Sequence, residues 1–162
     1  MIVLLSLVLA GCGLLNTKSS SSKGLGITFA LTDTTGKPSS TFYSGEPFLL
    51  SFAMINNTGN TLVAHYPPTP TVSFEILQGD SVLVSSKPEQ TGPTRVHPNS
   101  VIEAMLLQPG DTLHAQWKAP NTPSQNSAIV LLDGDYKAQV SFPSFDKTTL
   151  DTVEQIKFSV VQ

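Results

Sequence analysis

From Leu25 to the C-terminus, apolar residues recur at every second position, and this period is the strongest constraint on the fold. Leu25, Ile27, Phe29 and Leu31 alternate with Gly26, Thr28, Ala30 and Thr32. Phe48, Leu50, Phe52 and Met54 share one face of the next run. Leu49, Ala53 and Ile55 make its other face apolar too, which predicts a central strand. The same alternation returns in Val72–Phe74–Ile76, Leu113–Ala115–Trp117, Tyr136–Ala138–Val140–Phe142 and Ile156–Phe158–Val160. With less regular runs over 61–65, 81–86 and 101–107, this makes about nine strands. Turn chemistry separates them: Asn56-Asn57-Thr58-Gly59-Asn60, Gln78-Gly79-Asp80, Gln108-Pro109-Gly110-Asp111 and Asp133-Gly134-Asp135. No stretch carries a long helical period, and 126–132 is the most ambiguous.

Short strands with frequent turns predict an all-β, immunoglobulin-like antiparallel β-sandwich over residues 25–162. Trp117, the only tryptophan, falls on the inward parity and reads as a core anchor. Tyr136 follows a turn at the start of a strand, which is compatible with a tyrosine corner. Ordinary core packing is the expected reading of both residues.

The one cysteine stands at the end of an uncharged apolar run, Ile2 to Ala10. That run is far short of the roughly 20 residues a membrane-spanning helix needs. It fits the roughly 7–15-residue core of a secretory signal. Leu9-Ala10-Gly11-Cys12 resembles the bacterial lipobox in all four positions. The resemblance implies removal of residues 1–11 and lipid on the Cys12 sulfur, anchoring the chain to a membrane outside the cytoplasm. A basic flank, where such signals carry one, would lie upstream of Met1. Gly13 stands where an Asp would resemble an inner-membrane retention signal, so the outer membrane is expected in a Gram-negative cell. A cysteine used for lipid leaves none for disulfides, so the domain depends on its core. Residues 12–24 are Ser-rich and read as a flexible tether.

The order of elements resembles the BsuPI family, the intracellular proteinase inhibitor domain. The match runs from about Phe48 to Phe142. It rests on Phe52-Ala53-Met54-Ile55-Asn56-Asn57-Thr58-Gly59, on Val72-Ser73-Phe74-Glu75-Ile76, and on Leu106-Leu107-Gln108-Pro109-Gly110-Asp111-Thr112-Leu113 followed by Gln116-Trp117. Gly134-Asp135-Tyr136 completes it. The resemblance implies an immunoglobulin-like sandwich and a protein-binding role, with a protease as a possible target.

The residues themselves offer little chemistry. His65, His97 and His114 are scattered without metal-ligand spacing, and His114 lies on an outward parity, so no metal is expected. Asp133-Gly134-Asp135 lacks the ligand series of a calcium loop and reads as a turn. Asn56-Asn57-Thr58 reads as a hairpin turn rather than a glycosylation acceptor. No nucleophile elbow or phosphate-cradling loop is present, so neither an enzyme nor a cofactor is expected. A net charge of −3 with no basic cluster argues against nucleic-acid binding.

Binding then falls to loops on the rigid sandwich. Pro68 and Pro70 stiffen one segment after His65-Tyr66. The other, 87–98, is polar and proline-braced and holds His97 and Arg95, the only arginine. A pre-organised extended loop suits a protease cleft, with Arg95 as the side chain for its pocket. A solvated linker with an idle arginine is the plainer alternative. The expected function is a membrane-anchored, non-catalytic binding module. A structural or adhesive envelope lipoprotein, holding a partner protein or glycan, is the other reading. The oligomeric state is left open.

Overall fold

The computed structural model describes residues 17–22, 24–66, 72–87, 90–92, 94–96, 103–120, 129–143 and 150–162. Thirteen strands occur among them: β1 (Thr17–Ser22), β2 (Leu25–Thr32), β3 (Thr41–Tyr43), β4 (Phe48–Asn56), β5 (Leu62–Tyr66), β6 (Ser73–Gln78), β7 (Ser81–Ser86), β8 (Gln90–Thr91), β9 (Thr94–Val96), β10 (Glu103–Leu107), β11 (Thr112–Ala119), β12 (Gly134–Pro143) and β13 (Leu150–Val161). No helix occurs among the described residues, in agreement with the all-β expectation.

The strands form two five-stranded sheets, β1-β2-β4-β11-β8 and β3-β13-β12-β6-β7, and a three-stranded sheet, β5-β10-β9. The two larger sheets face each other across one core. Phe29 and Trp117 of the first sheet stack on Phe74 of the second, with centroids 6.1 and 6.5 Å apart. Phe52 meets Phe142 at 5.1 Å, and Phe48 meets Phe42 at 4.5 Å and Phe158 at 5.2 Å. Each such pair adds about 0.5–1.5 kcal/mol beyond its area burial. The result is a β-sandwich-like fold.

The inward parity read from sequence is the buried parity of the structure. On β4, Phe48, Leu50, Phe52 and Met54 are buried, and the strand lies centrally between β2 and β11. Trp117, Tyr136 and the inward residues of β12 and β13 join the same core. Ala64, Met105 and Leu107 carry the small sheet onto it.

Several features depart from the sequence expectation. The Ser-rich segment is not wholly a loose tether: β1 pairs with β2 along its full length, from Thr17 opposite Ala30 to Ser22 opposite Leu25. Backbone groups alone supply that pairing, so no apolar pattern announces it. The fold is not wholly antiparallel, because β3 runs parallel to β13, with Tyr43 opposite Val161. The turn at Asn56 is not a hairpin, because β4 and β5 lie in different sheets.

Asn56 explains that change of direction. It is fully buried, at a position where the β4 parity calls for an apolar side chain. Its Nδ2 donates to the carbonyls of Leu107 and Asn60, each at 2.8 Å. Its Oδ1 accepts from the Thr58 amide at 2.9 Å and the Thr58 hydroxyl at 2.6 Å. The backbone joins in: Asn56 N–H donates to the Asp111 carbonyl, and Gly110 N–H donates to the Asn56 carbonyl. The 56–60 and 108–111 turns are thereby locked together at one end of the sandwich.

The opposite end is closed by Tyr136. Its ring is buried against Phe158, and its hydroxyl donates to the Leu132 carbonyl at 2.8 Å. The bond reaches four residues back, the geometry of a tyrosine corner, so Tyr136 does more than fill the core. The Ser44 hydroxyl donates to the neighbouring Leu131 carbonyl at 2.8 Å.

Candidate functional site

The two segments singled out in the sequence share a common root. Antiparallel pairing in the small sheet sets Tyr66 opposite Glu103 and Val96 opposite Ala104. The last residues of β5 and β9 therefore stand at the same end of the sheet, on either side of the start of β10. The chain leaves Tyr66 into 67–71, which holds Pro68 and Pro70, and leaves Val96 into 97–102, which holds His97. Pro68, Pro70, His97 and Cys12 lie outside the described residues. Arg95 is not in an irregular loop: it is the middle residue of β9, opposite Met105.

Five residues link Tyr66 to Val72, which precedes β6. Ser73 pairs with Ser141 near the end of β12, so this junction is at the Asn56 end of the sandwich and away from Tyr136. Gly92 makes the turn into β9 possible. It adopts φ +133°, and a Cβ there would lie far inside van der Waals contact of the Thr112 carbonyl oxygen.

Two shallow depressions mark the outer sheet faces. One, of about 380 Å³, is lined by Thr28, Ser51, Thr91, His114 and Gln116. The Ser51 hydroxyl accepts from the Gln116 amide at 2.9 Å rather than from His114. On this face no hydrogen bond joins His114 to a hydroxyl among the described residues. The second, of about 510 Å³, is lined by Thr41, Asp135, Lys137, Lys157 and Ser159. Ser159 donates to Asp135 at 2.7 Å, and Lys137 lies 3.5 Å from exposed Asp80. Lys137 and Lys157 are direct cross-strand partners, a mildly repulsive arrangement tolerated only in solvent. A neighbouring ladder runs from Gln155 to Gln139 and on to Glu75.

No three His, Cys, Asp or Glu side chains gather to hold a metal among the described residues. Among the described residues one carboxylate is perturbed. Asp33 is exposed, and the Thr35 hydroxyl, at 2.6 Å, does most to hold its pKa below the usual 3.8. The Lys37 and Thr35 amides add to the effect.

Sequence reasoning missed three exposed apolar side chains toward the Tyr136 end, Tyr43, Val130 and Leu132. The signal lay in the ambiguous stretch. Ile129-Val130-Leu131-Leu132 is apolar at every position, and the structure turns Ile129 and Leu131 inward and the other two outward. No protein-family model matches this chain, and no curated protein matches it.

Proposed function

We propose that the chain is a membrane-anchored, non-catalytic extracytoplasmic binding module, resembling BsuPI-type proteinase inhibitors, on an immunoglobulin-like sandwich. The observation that carries the reading is the common root of 67–71 and 97–102 at one end of a braced sheet. A rigid platform from one end of which two proline-bearing segments depart suits recognition of a protein surface. The strand order supports the immunoglobulin-like assignment. If β2, β4, β11 and β8 stand for A, B, E and D, then β3, β13, β12, β6 and β7 fall into A′, G, F, C and C′. The parallel β3–β13 pair and the tyrosine corner agree with that alignment. Arg95 on β9, His97 just beyond that strand, and Pro68 and Pro70 on the other segment are the contact residues under this reading.

The test is dose-dependent inhibition of a panel of extracytoplasmic proteases by residues 17–162. Stoichiometric inhibition of one protease class, weakened at least tenfold by Arg95→Ala, is the expected result. A flat response across serine, cysteine and metalloproteases removes the inhibitor reading.

A further inference from the structure

The start of β1, which follows Cys12 in the chain, and the exposed Tyr43, Val130 and Leu132 lie toward the same end of the molecule. Thr17 pairs with Ala30, two positions from Thr32, which pairs with Leu49 at the start of β4. Phe48 of that strand touches Phe42 and Phe158, beside Tyr136. This end therefore carries the start of β1, the end of β3 and the start of β12. Only residues 13–16 separate Cys12 from Thr17. Fully extended at 3.3–3.6 Å per residue, that link spans at most about 18 Å.

Five large apolar side chains are exposed among the described residues: Tyr43 at 59%, Val130 at 53% and Leu132 at 71% stand here, and Val82 and Leu83 follow the β6–β7 turn, which the register places toward the same end. The backbone of the first three is held firmly. Ser44 N–H donates to the Val161 carbonyl, the Ser44 hydroxyl to Leu131, and the Tyr136 hydroxyl to Leu132. Exposed side chains on so braced a backbone are not loose loop residues collapsed outward. Tyrosine in particular suits the boundary between headgroups and acyl chains.

We infer that Tyr43, Val130 and Leu132 form a second membrane contact, inserting into the interfacial region of the bilayer that holds the Cys12 lipid. The inference rests on the lipoprotein reading, because the short link is what brings this end to the bilayer. Lys18, Lys37, Lys118, Lys137 and Lys157 toward this end are balanced by Asp33, Glu46, Asp80, Asp133 and Asp135, so the contact is apolar rather than electrostatic. The domain then stands upright, with the roots of 67–71 and 97–102 turned away from the membrane.

Lipidation consumes the only native cysteine, so an introduced cysteine becomes the one free thiol in the full chain. Leu132→Cys, Val130→Cys and, at the opposite end, Gln108→Cys are purified from cell membranes, spin-labelled and placed in phosphatidylcholine–phosphatidylglycerol vesicles bearing a headgroup-linked nickel chelate. Labels at 130 and 132 are expected to relax several-fold faster than the label at 108. The difference is expected to persist in about 0.5 M salt, where exposed charges are screened. Equal relaxation at all three positions, with the lipid on Cys12 verified by mass, overturns the docking and leaves the anchor intact. An unmodified Cys12 in that mass spectrum overturns the anchoring reading, and the docking with it.

Discussion

Asn56 is the one fully buried polar side chain among the described residues, and its replacement by two different residues separates hydrogen bonding from packing. Asn56→Ala removes four side-chain bonds, two of them donated to carbonyls at 2.8 Å. Buried bonds contribute about 0.5–1.5 kcal/mol each, and a buried acceptor left without its donor costs about 1–3 kcal/mol. The bonds to the exposed turn count at the low end, which sets the expected loss at about 3 kcal/mol. Asn56→Asp keeps the size and the acceptor toward Thr58 but turns an oxygen toward two carbonyl oxygens. The ionised form is disfavoured by burial and by those carbonyls, so the folded-state pKa of the new carboxyl rises above the unfolded value of about 3.9. A raised pKa stabilises the fold fully below about pH 3.9, and that contribution is lost as pH rises through the folded-state pKa. The stability gap between the Asn56→Asp variant and the parent is therefore expected to narrow as pH falls from 7 toward 4. Between the folded and unfolded pKa values the narrowing amounts to about 1.4 kcal/mol per pH unit. The gap for Asn56→Ala stays constant. Urea denaturation followed by Trp117, the only tryptophan, reads all three proteins at each pH. Parallel pH curves for the two variants, or a loss below about 1 kcal/mol for the alanine, would refute the four-bond account.

Two other residues give sharp expectations. Gly92→Ala is expected to cost at least about 1–2 kcal/mol from the positive φ alone, and more because its Cβ would collide with the Thr112 carbonyl oxygen. A denaturation midpoint equal to the parent's counts against this turn geometry. Asp33, whose pKa is lowered, supplies stability that is present above its usual 3.8 and lost as pH falls through its depressed value. Asp33→Ala should flatten the acid side of the stability curve below that pH and leave the neutral side parallel; an unchanged acid limb is the contrary result.

The core was legible because burial follows parity. The inward positions of β4 from Phe48 to Met54, of β11 from Leu113 to Trp117 and of β12 from Tyr136 to Phe142 could be read from alternation alone, since a sheet face either meets the core or meets water; Asn56 and Ala119, inward at the strand ends, could not. Destinations were not legible. The turn residues at 56–60 and 108–111 announce turns, but whether a turn returns the chain to the same sheet depends on Asn56 reaching Leu107, 51 residues away. β1 was hidden because its pairing uses backbone groups that every residue except proline carries, and β3 because three residues show no period. The shared root of the two proline-bearing segments depends on register between strands far apart in sequence. The apolar end escaped notice because Val130 and Leu132 look like core residues until Ile129 and Leu131 take the inward places.

The polar strand β1 also has a consequence for solubility. β2 carries Ile27, Phe29 and Leu31, and without β1 its unpaired N–H and C=O groups would form a long open edge beside an apolar face. A cover made only of threonine, lysine and serine offers another chain a poor template for strand addition. Two of the other sheet margins are short, with two residues in β8 and three in β3. Proteolytic trimming between β1 and β2 would therefore do more than shorten a spacer. It would expose an eight-residue strand edge, and the protein would become prone to aggregate by edge-to-edge pairing while its core remained intact.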